Sequence, residues 1–261
     1  MSRHIKAIAF DFGNTLCPWD AEQYWQITRI VLTQVCAHAP GVDIEKAVEA
    51  FSRIRNTDSA LNLPRMAEND LPGIYAKTAL EVCGRPLNKF ELSSIIATHI
   101  GAFVGVCRTQ DGLDSMLERL SAKYRLAVLS NYPIPDCIRQ SLICMGIEKR
   151  FDVTVVSGDI GVIKPGKRIF DRLLDELDMP AENVLFVGDD WVADVVGAWA
   201  AGMPCVHIMD GHSQAKLEGV FGTYLRKALE SPELAGWESA QPLAVLDSAL
   251  SLESWLEAYE G

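Results

Sequence analysis

The chain has 261 residues, 49% of them hydrophobic and 23% charged, which suits a globular protein with one large domain or a core and a smaller companion. A formal net charge of −11 argues against nucleic-acid binding through a basic face, but it does not exclude phosphorylated small molecules, which answer to local donors and bound cations. No apolar run is long enough to span a bilayer and the N-terminus lacks a signal-type core, so a cytoplasmic protein with no membrane partner is expected.

The first element is an apolar run, Ile5 to Phe10, that stops abruptly at Asp11 and a turn through Phe12, Gly13, Asn14 and Thr15. Such a run reads as a buried strand, and its terminal carboxylate would lie at the mouth of an open α/β sheet, where ligands bind. Standing alone, Asp11 could equally cap an Asx-type turn.

From Leu16 to Arg108 the pattern is helical. Tyr24, Ile27, Val31 and Val35 fall at steps of three or four, and Leu92, Ile95, Ile96, Ile100 and Phe103 do much the same. Breaks at Pro40-Gly41, Pro64, Pro72-Gly73 and Gly84-Arg85-Pro86 divide the stretch into about four helices.

Beyond it, strands alternate with helices. Asp111 to Ala122 is predicted helical, Arg125 to Leu129 a strand ending at Ser130-Asn131, and Ile134 to Met145 a helix. Asp152 to Val156 is a strand running into Ser157-Gly158, with Lys164-Pro165 shortly after and a helix over Lys167 to Leu177. Val184 to Val187 is a strand ending at Gly188-Asp189-Asp190, followed by a helix from Val192 to Ala201 and a strand from Pro204 to Ile208. Gly211 to Ala240 reads as an inserted segment, helical around Leu217 to Leu229. An edge strand at Pro242 to Leu246 and a helix at Leu252 to Tyr259 close the chain. Alternation of this kind predicts parallel β-α-β units.

Each of the short aliphatic strands ends in a group that can handle phosphate or metal: a carboxylate, a hydroxyl, an ammonium, a pair of acids. Taken alone, Ser130 is more often a helix cap and Lys164 a surface lysine; their placement beyond successive strand ends favours a shared site. Seven scattered cysteines without CxxC spacing (Cys17, Cys36, Cys83, Cys107, Cys137, Cys144, Cys205) read as thiols in a reducing compartment. The histidines lack metal-ligand spacing and lie outside these motifs, so they are assigned structural or surface roles, and Trp19 and Trp25 either pack in the core or reach the substrate from the helical stretch.

In order and context, Asp11 through Thr15, Ser130, Lys164-Pro165 and Gly188-Asp189 with Asp194 resemble the haloacid dehalogenase superfamily of hydrolases, as do Gly197-Ala198 and Ala201-Gly202-Met203. The resemblance implies a doubly wound, mostly parallel Rossmann-like α/β core, residues 1–16 and 107–261, with an all-helical cap inserted over residues 17–106. It also implies a Mg²⁺-dependent phosphatase acting on a small phosphorylated substrate. Asp11 would be the covalent nucleophile. Mg²⁺ would be held by Asp11, Asp189 and the Gly13 carbonyl, with Asp194 in its outer shell and Asp190 either joining it or capping the helix. Ser130 and the Asn131 amide, at a helix start, would bind phosphoryl oxygens. Thr15 would orient the loop, and Lys164 would balance the charge of Asp11 and the transferring group.

One position departs from the pattern. Phosphatases of the superfamily mostly carry a second aspartate two residues after the nucleophile, as general acid and base, and here that residue is Gly13. Three readings follow: a phosphatase helped from elsewhere, a 2-haloacid dehalogenase attacking carbon, or a phosphate-binding protein without turnover. Asp189 and Asp194 favour the first, because displacing halide from carbon needs no divalent cation.

Overall fold

A computed structural model describes residues 4–39, 41–209 and 220–260. Six strands form one sheet: β1 (Ala7–Phe10), β2 (Arg125–Ser130), β3 (Val153–Val156), β4 (Val184–Gly188), β5 (Cys205–Ile208) and β6 (Ala244–Leu246), in the order β3-β2-β1-β4-β5-β6. Every neighbouring pair is parallel. This is the doubly wound arrangement expected, and its strand order reverses between β1 and β4. A crevice at such a switch point opens outside the carboxyl ends of those two strands, which end at Asp11 and Asp189.

Alternation along the strands builds two cores. Ile8, Phe10, Leu126, Val128, Leu185 and Val187 face one side, and Ala7, Ala9, Ala127, Leu129, Val184 and Phe186 face the other. The first side is packed by α5 (Leu113–Ser121), α6 (Pro135–Cys144) and α11 (Leu252–Glu260), and the second by α8 (Lys167–Leu177) and α9 (Gly197–Ala200). The short α7 (Ser157–Ile160) follows β3 directly.

Residues after β1 form four helices, α1 (Ala21–Cys36), α2 (Ile44–Asn62), α3 (Leu71–Cys83) and α4 (Lys89–Val106). Asp20 with Gln23 and Asn88 with Glu91 make reciprocal capping boxes at α1 and α4, while Asp43 and Asp70 cap α2 and α3. Apolar faces of all four join the sheet core: Phe103 stacks with Phe12, just after β1, and packs on Tyr132, just after β2. The chain between α2 and α3 also docks on the loop before Lys164, through the pairing of Ala67 with Val162 and the Ile163 amide on the Met66 carbonyl at 2.9 Å.

Within the region expected as an insertion, α10 (Val220–Ala228) is helical, and Leu225 and Ala228 pack on Leu63, Met66, Val192 and Val196. The remainder of the predicted helix, residues 217–219, lies outside the described residues. Among those residues no helix is long and apolar enough to cross a membrane.

Candidate active site

Asp11 emerges from β1 with its amide bonded to the Val187 carbonyl of β4 at 2.8 Å, so the sheet ladder itself sets its position. Its Oδ1 accepts a hydrogen bond from Lys164 Nζ at 2.6 Å, and the same ammonium donates to Asp194 Oδ1 at 2.6 Å. Lys164 is only 1% exposed. Burial by itself would lower its pKa, but the Asp11 and Asp194 carboxylates prevail and hold it above the ordinary lysine value, hence charged.

Carboxylate oxygens of Asp11, Asp189 and Asp194 lie within 4.8 Å of one another. Asp194 is committed elsewhere: beside Lys164 on one oxygen, it accepts from the Asp190 amide on the other at 2.9 Å. The structure thus places Asp194 as the partner of Lys164, in addition to its proximity to the acid cluster. Asp190 caps the helix, its Oδ1 accepting from the Val192 and Ala193 amides at 2.9 and 2.8 Å.

The helix after Asp190 is not α-helical at its start. Residues Trp191–Val196 form a π-helical turn, with the Val195 amide reaching back to the Asp190 carbonyl at 3.3 Å. The wider turn carries Asp194 against Gly188, where an added Cβ would lie 2.3 Å from its carboxylate. Gly188 is what lets the acid in.

Two expectations of local structure are corrected. Asn131 does not open a helix, because Pro133 and Pro135 hold the residues before them out of the helical region, and α6 begins only at Pro135. Its side chain instead clamps Lys164: Oδ1 accepts from the Lys164 amide at 2.7 Å and Nδ2 donates to the Lys164 carbonyl at 3.0 Å. Thr15 does not orient the loop through its hydroxyl, whose Oγ1 is buried and has no hydrogen-bond partner among the described residues. That work falls to Asn14, a residue the sequence reading missed. In the left-handed conformation at φ 56°, Asn14 accepts from the Trp19 amide at 2.7 Å and donates to Asp189 Oδ2 at 3.4 Å. Its tolerance of that conformation was the available signal.

Ser130 ends β2, buried at the same mouth. His207, assigned a structural or surface role from sequence, stands on β5 and donates from Nε2 to the Asp189 carbonyl at 3.0 Å. All seven cysteines are free thiols, and Cys17 is buried as packing.

The donor set suits a hard divalent cation. Asp11 and Asp189 offer carboxylate oxygens from adjacent strand ends, and no donor among the described residues reaches the Gly13 carbonyl. The orphaned Thr15 hydroxyl and the Ser130 hydroxyl suit the oxygens of a phosphoryl group. Gly13 itself has a negative φ, and a Cβ there would meet nothing within 4 Å. Neither backbone conformation nor space therefore demands glycine.

The sequence profile of the haloacid dehalogenase-like hydrolases matches residues 5–202. The chain is 29% identical to pyrimidine 5′-nucleotidase YjjG of Escherichia coli over 136 residues, 51% of this chain and 59% of that protein. It is 30% identical to a glyceraldehyde 3-phosphate phosphatase of Methanopyrus kandleri over 213 residues, covering 80% of this chain and 86% of the relative. In structure it resembles a 2-haloacid dehalogenase of Pseudomonas syringae pv. Tomato, at a TM-score of 0.65 and 20% identity, over 98% of this chain and 99% of that one.

Proposed function

Since the chain belongs to the haloacid dehalogenase-like hydrolases, we propose that it is a Mg²⁺-dependent phosphatase that carries the phosphoryl group of a small monoester on Asp11. The observation that carries this reading is the ion pair of Lys164 with Asp11, beside Asp189 and Ser130, at the carboxyl ends of β1, β4 and β2. Relatives named for nucleotide and triose-phosphate hydrolysis support a small phosphorylated substrate.

In this mechanism Lys164 fixes one carboxylate oxygen of Asp11, and the other attacks phosphorus. The Asp11 oxygen–phosphorus bond forms as the bond from phosphorus to the leaving oxygen breaks; that oxygen departs with the bonding pair and takes its proton from water, and a second water then attacks phosphorus, losing a proton to solvent, displaces the Asp11 carboxylate and releases phosphate. Ser130 and Thr15 donate to phosphoryl oxygens. The Lys164 ammonium, kept charged by its two acids, stabilises the charge on the transferring group. Asp11, Asp189 and the Gly13 carbonyl would hold Mg²⁺, whose positive charge would offset the repulsion between carboxylate and phosphate.

We further propose that α1 to α4 act as the cap over this site and exclude water from it, a reading supported by Phe103 packing on Phe12 and Tyr132. Gly13, which offers no acid to the leaving group, is the observation that favours a second reading, attack on the carbon of a 2-haloacid. A screen of phosphate esters with and without Mg²⁺, run beside chloroacetate and with Asp11→Asn as control, separates the two. Metal-dependent release of phosphate that Asp11→Asn abolishes is the expected outcome. Halide release without phosphate release would replace the first reading with the second.

A further inference from the structure

Arg55 lies on the inward side of α2. Phe51, one turn earlier, is in the core, and Ser59, one turn later, accepts from the Asn69 amide group at 3.2 Å. The adjoining side of the helix, at Ser52, Asn56 and Ala60, borders an open surface hollow. Arg55 is half-buried with its guanidinium 4.8 Å from the centre of the Tyr24 ring, a contact that holds the cation without supplying a hydrogen-bond acceptor.

Among the described residues, Arg55 has no carboxylate or carbonyl acceptor within hydrogen-bond reach. Three other described arginines share that condition, Arg65, Arg168 and Arg226, and all are solvent-exposed. The remaining described arginines are each bonded to an acid or a carbonyl, as in Arg29 with Glu45 and Arg139 with Asp159. A guanidinium carries five donors that stay charged, so leaving one half-buried with none of them used is costly unless something else accepts.

Glu68 feels its charge. Burial pushes the Glu68 carboxyl up and the positive charge of Arg55 opposes that push. Both Glu68 oxygens are already occupied, however, one by the Ser157 hydroxyl and the other by the Asn69 amide. Ser157 in turn accepts from the Tyr132 amide at 2.8 Å, and Tyr132 follows Ser130 by two residues. The side of α2 that carries Arg55 and Ser59 is tied through Asn69 and Glu68 to Ser157 and Tyr132, which sets Arg55 on the helical side of the loops that leave β2 and β3.

We propose that Arg55 is a specificity-determining residue that binds a second anionic group, a carboxylate or a further phosphate, on the small phosphate monoester whose phosphoryl group lies at Asp11 and Ser130. The inference rests on the phosphatase reading above and adds the class of substrate. A planar guanidinium matches either anion with paired donors, and an uncharged leaving group would leave it unmatched.

Titration with phosphonates tests this without turnover, in the presence of Mg²⁺. Ethylphosphonate offers the phosphoryl group alone, phosphonoacetate adds a carboxylate, and propane-1,3-diphosphonate adds a second phosphonate. Wild type should bind one of the last two about ten- to a hundredfold more tightly than ethylphosphonate, the range of a charge-assisted hydrogen bond, and the tighter one identifies the anion. Arg55→Met should erase that preference and keep ethylphosphonate affinity, and Arg55→Lys should recover part of it. No preference in wild type, or the same preference in Arg55→Met, overturns the proposal while p-nitrophenyl phosphate hydrolysis still upholds the phosphatase reading. Loss of ethylphosphonate binding in both Arg55 variants would assign Arg55 a structural role and overturn it equally. Failure of wild type to bind ethylphosphonate or to cleave any phosphate ester would remove the phosphatase reading and this inference together.

Discussion

Asn131 holds Lys164 by its main chain, taking the Lys164 amide on Oδ1 at 2.7 Å and giving Nδ2 to the Lys164 carbonyl at 3.0 Å. Two loops from different strands are thereby locked in register, and the Lys164 ammonium reaches Asp11 from a backbone that has little freedom. Asn131→Ala should leave the ammonium charged but misplaced. A drop of roughly a hundredfold in kcat with KM little changed is expected, the scale of an ångström's misplacement. Steady-state kinetics with p-nitrophenyl phosphate check it, and an unchanged kcat would make the clamp irrelevant to the reaction.

Asp189 and Asp194 should separate when neutralised singly. Asp189→Asn removes a carboxylate from the proposed cation site, so Mg²⁺ affinity measured by titration should fall sharply. Asp194→Asn instead removes a partner of Lys164, and breaking a buried ion pair costs about 3–5 kcal/mol of stability. Mg²⁺ affinity should survive far better in that variant. Equal losses of Mg²⁺ affinity in the two would place both acids on the cation.

Gly13→Asp should fold, since no atom lies within 4 Å of the added Cβ and the backbone there is not left-handed. It restores a carboxyl where superfamily phosphatases mostly carry one. A positioned general acid contributes about 10²- to 10⁴-fold, and an alkyl leaving group needs it most. Turnover of alkyl phosphates should rise more than that of p-nitrophenyl phosphate. Wild type that already cleaves alkyl phosphates at ordinary enzyme rates would show that the acid is supplied from another residue.

His99 should make stability depend on pH. Its Nδ1 and Nε2 lie 2.7 Å from the hydroxyls of Tyr75 and Tyr132, tying α3 and α4 to the loop after β2, and burial pushes its pKa down to about 4. Below the unfolded value near 6.5 the unfolded chain takes up a proton that the folded protein refuses. This contribution is therefore complete above pH 6.5 and is lost progressively as pH falls towards 4. Between pH 7.5 and pH 5 the loss is about 2 kcal/mol, readable by denaturant unfolding. His99→Gln should flatten that slope, and an identical slope in both proteins would assign it to other groups.

Much of this protein is legible from residue order alone. Short aliphatic runs with a period of two mark the strands, and caps such as Asp20 and Asn88 mark helix starts, because both signals are local. The departure at Gly13 is likewise visible in the sequence, as is the pair of prolines that keeps Asn131 off a helix. Other features exist only in three dimensions. That Asp194 answers to Lys164, that Asn14 rather than Thr15 joins the first loop to Asp189, and that Arg55 lacks an acceptor among the described residues all depend on which side chains meet in space, in the first two cases across 30 and 175 positions of chain. Hydrogen bonds and ion pairs act over a few ångströms, and spacing in sequence carries that information only within one helix or strand. Sequence therefore names the chemical groups at the strand ends, while the packing of β1 against β4 and of α2 above the loops decides which of them bind one another.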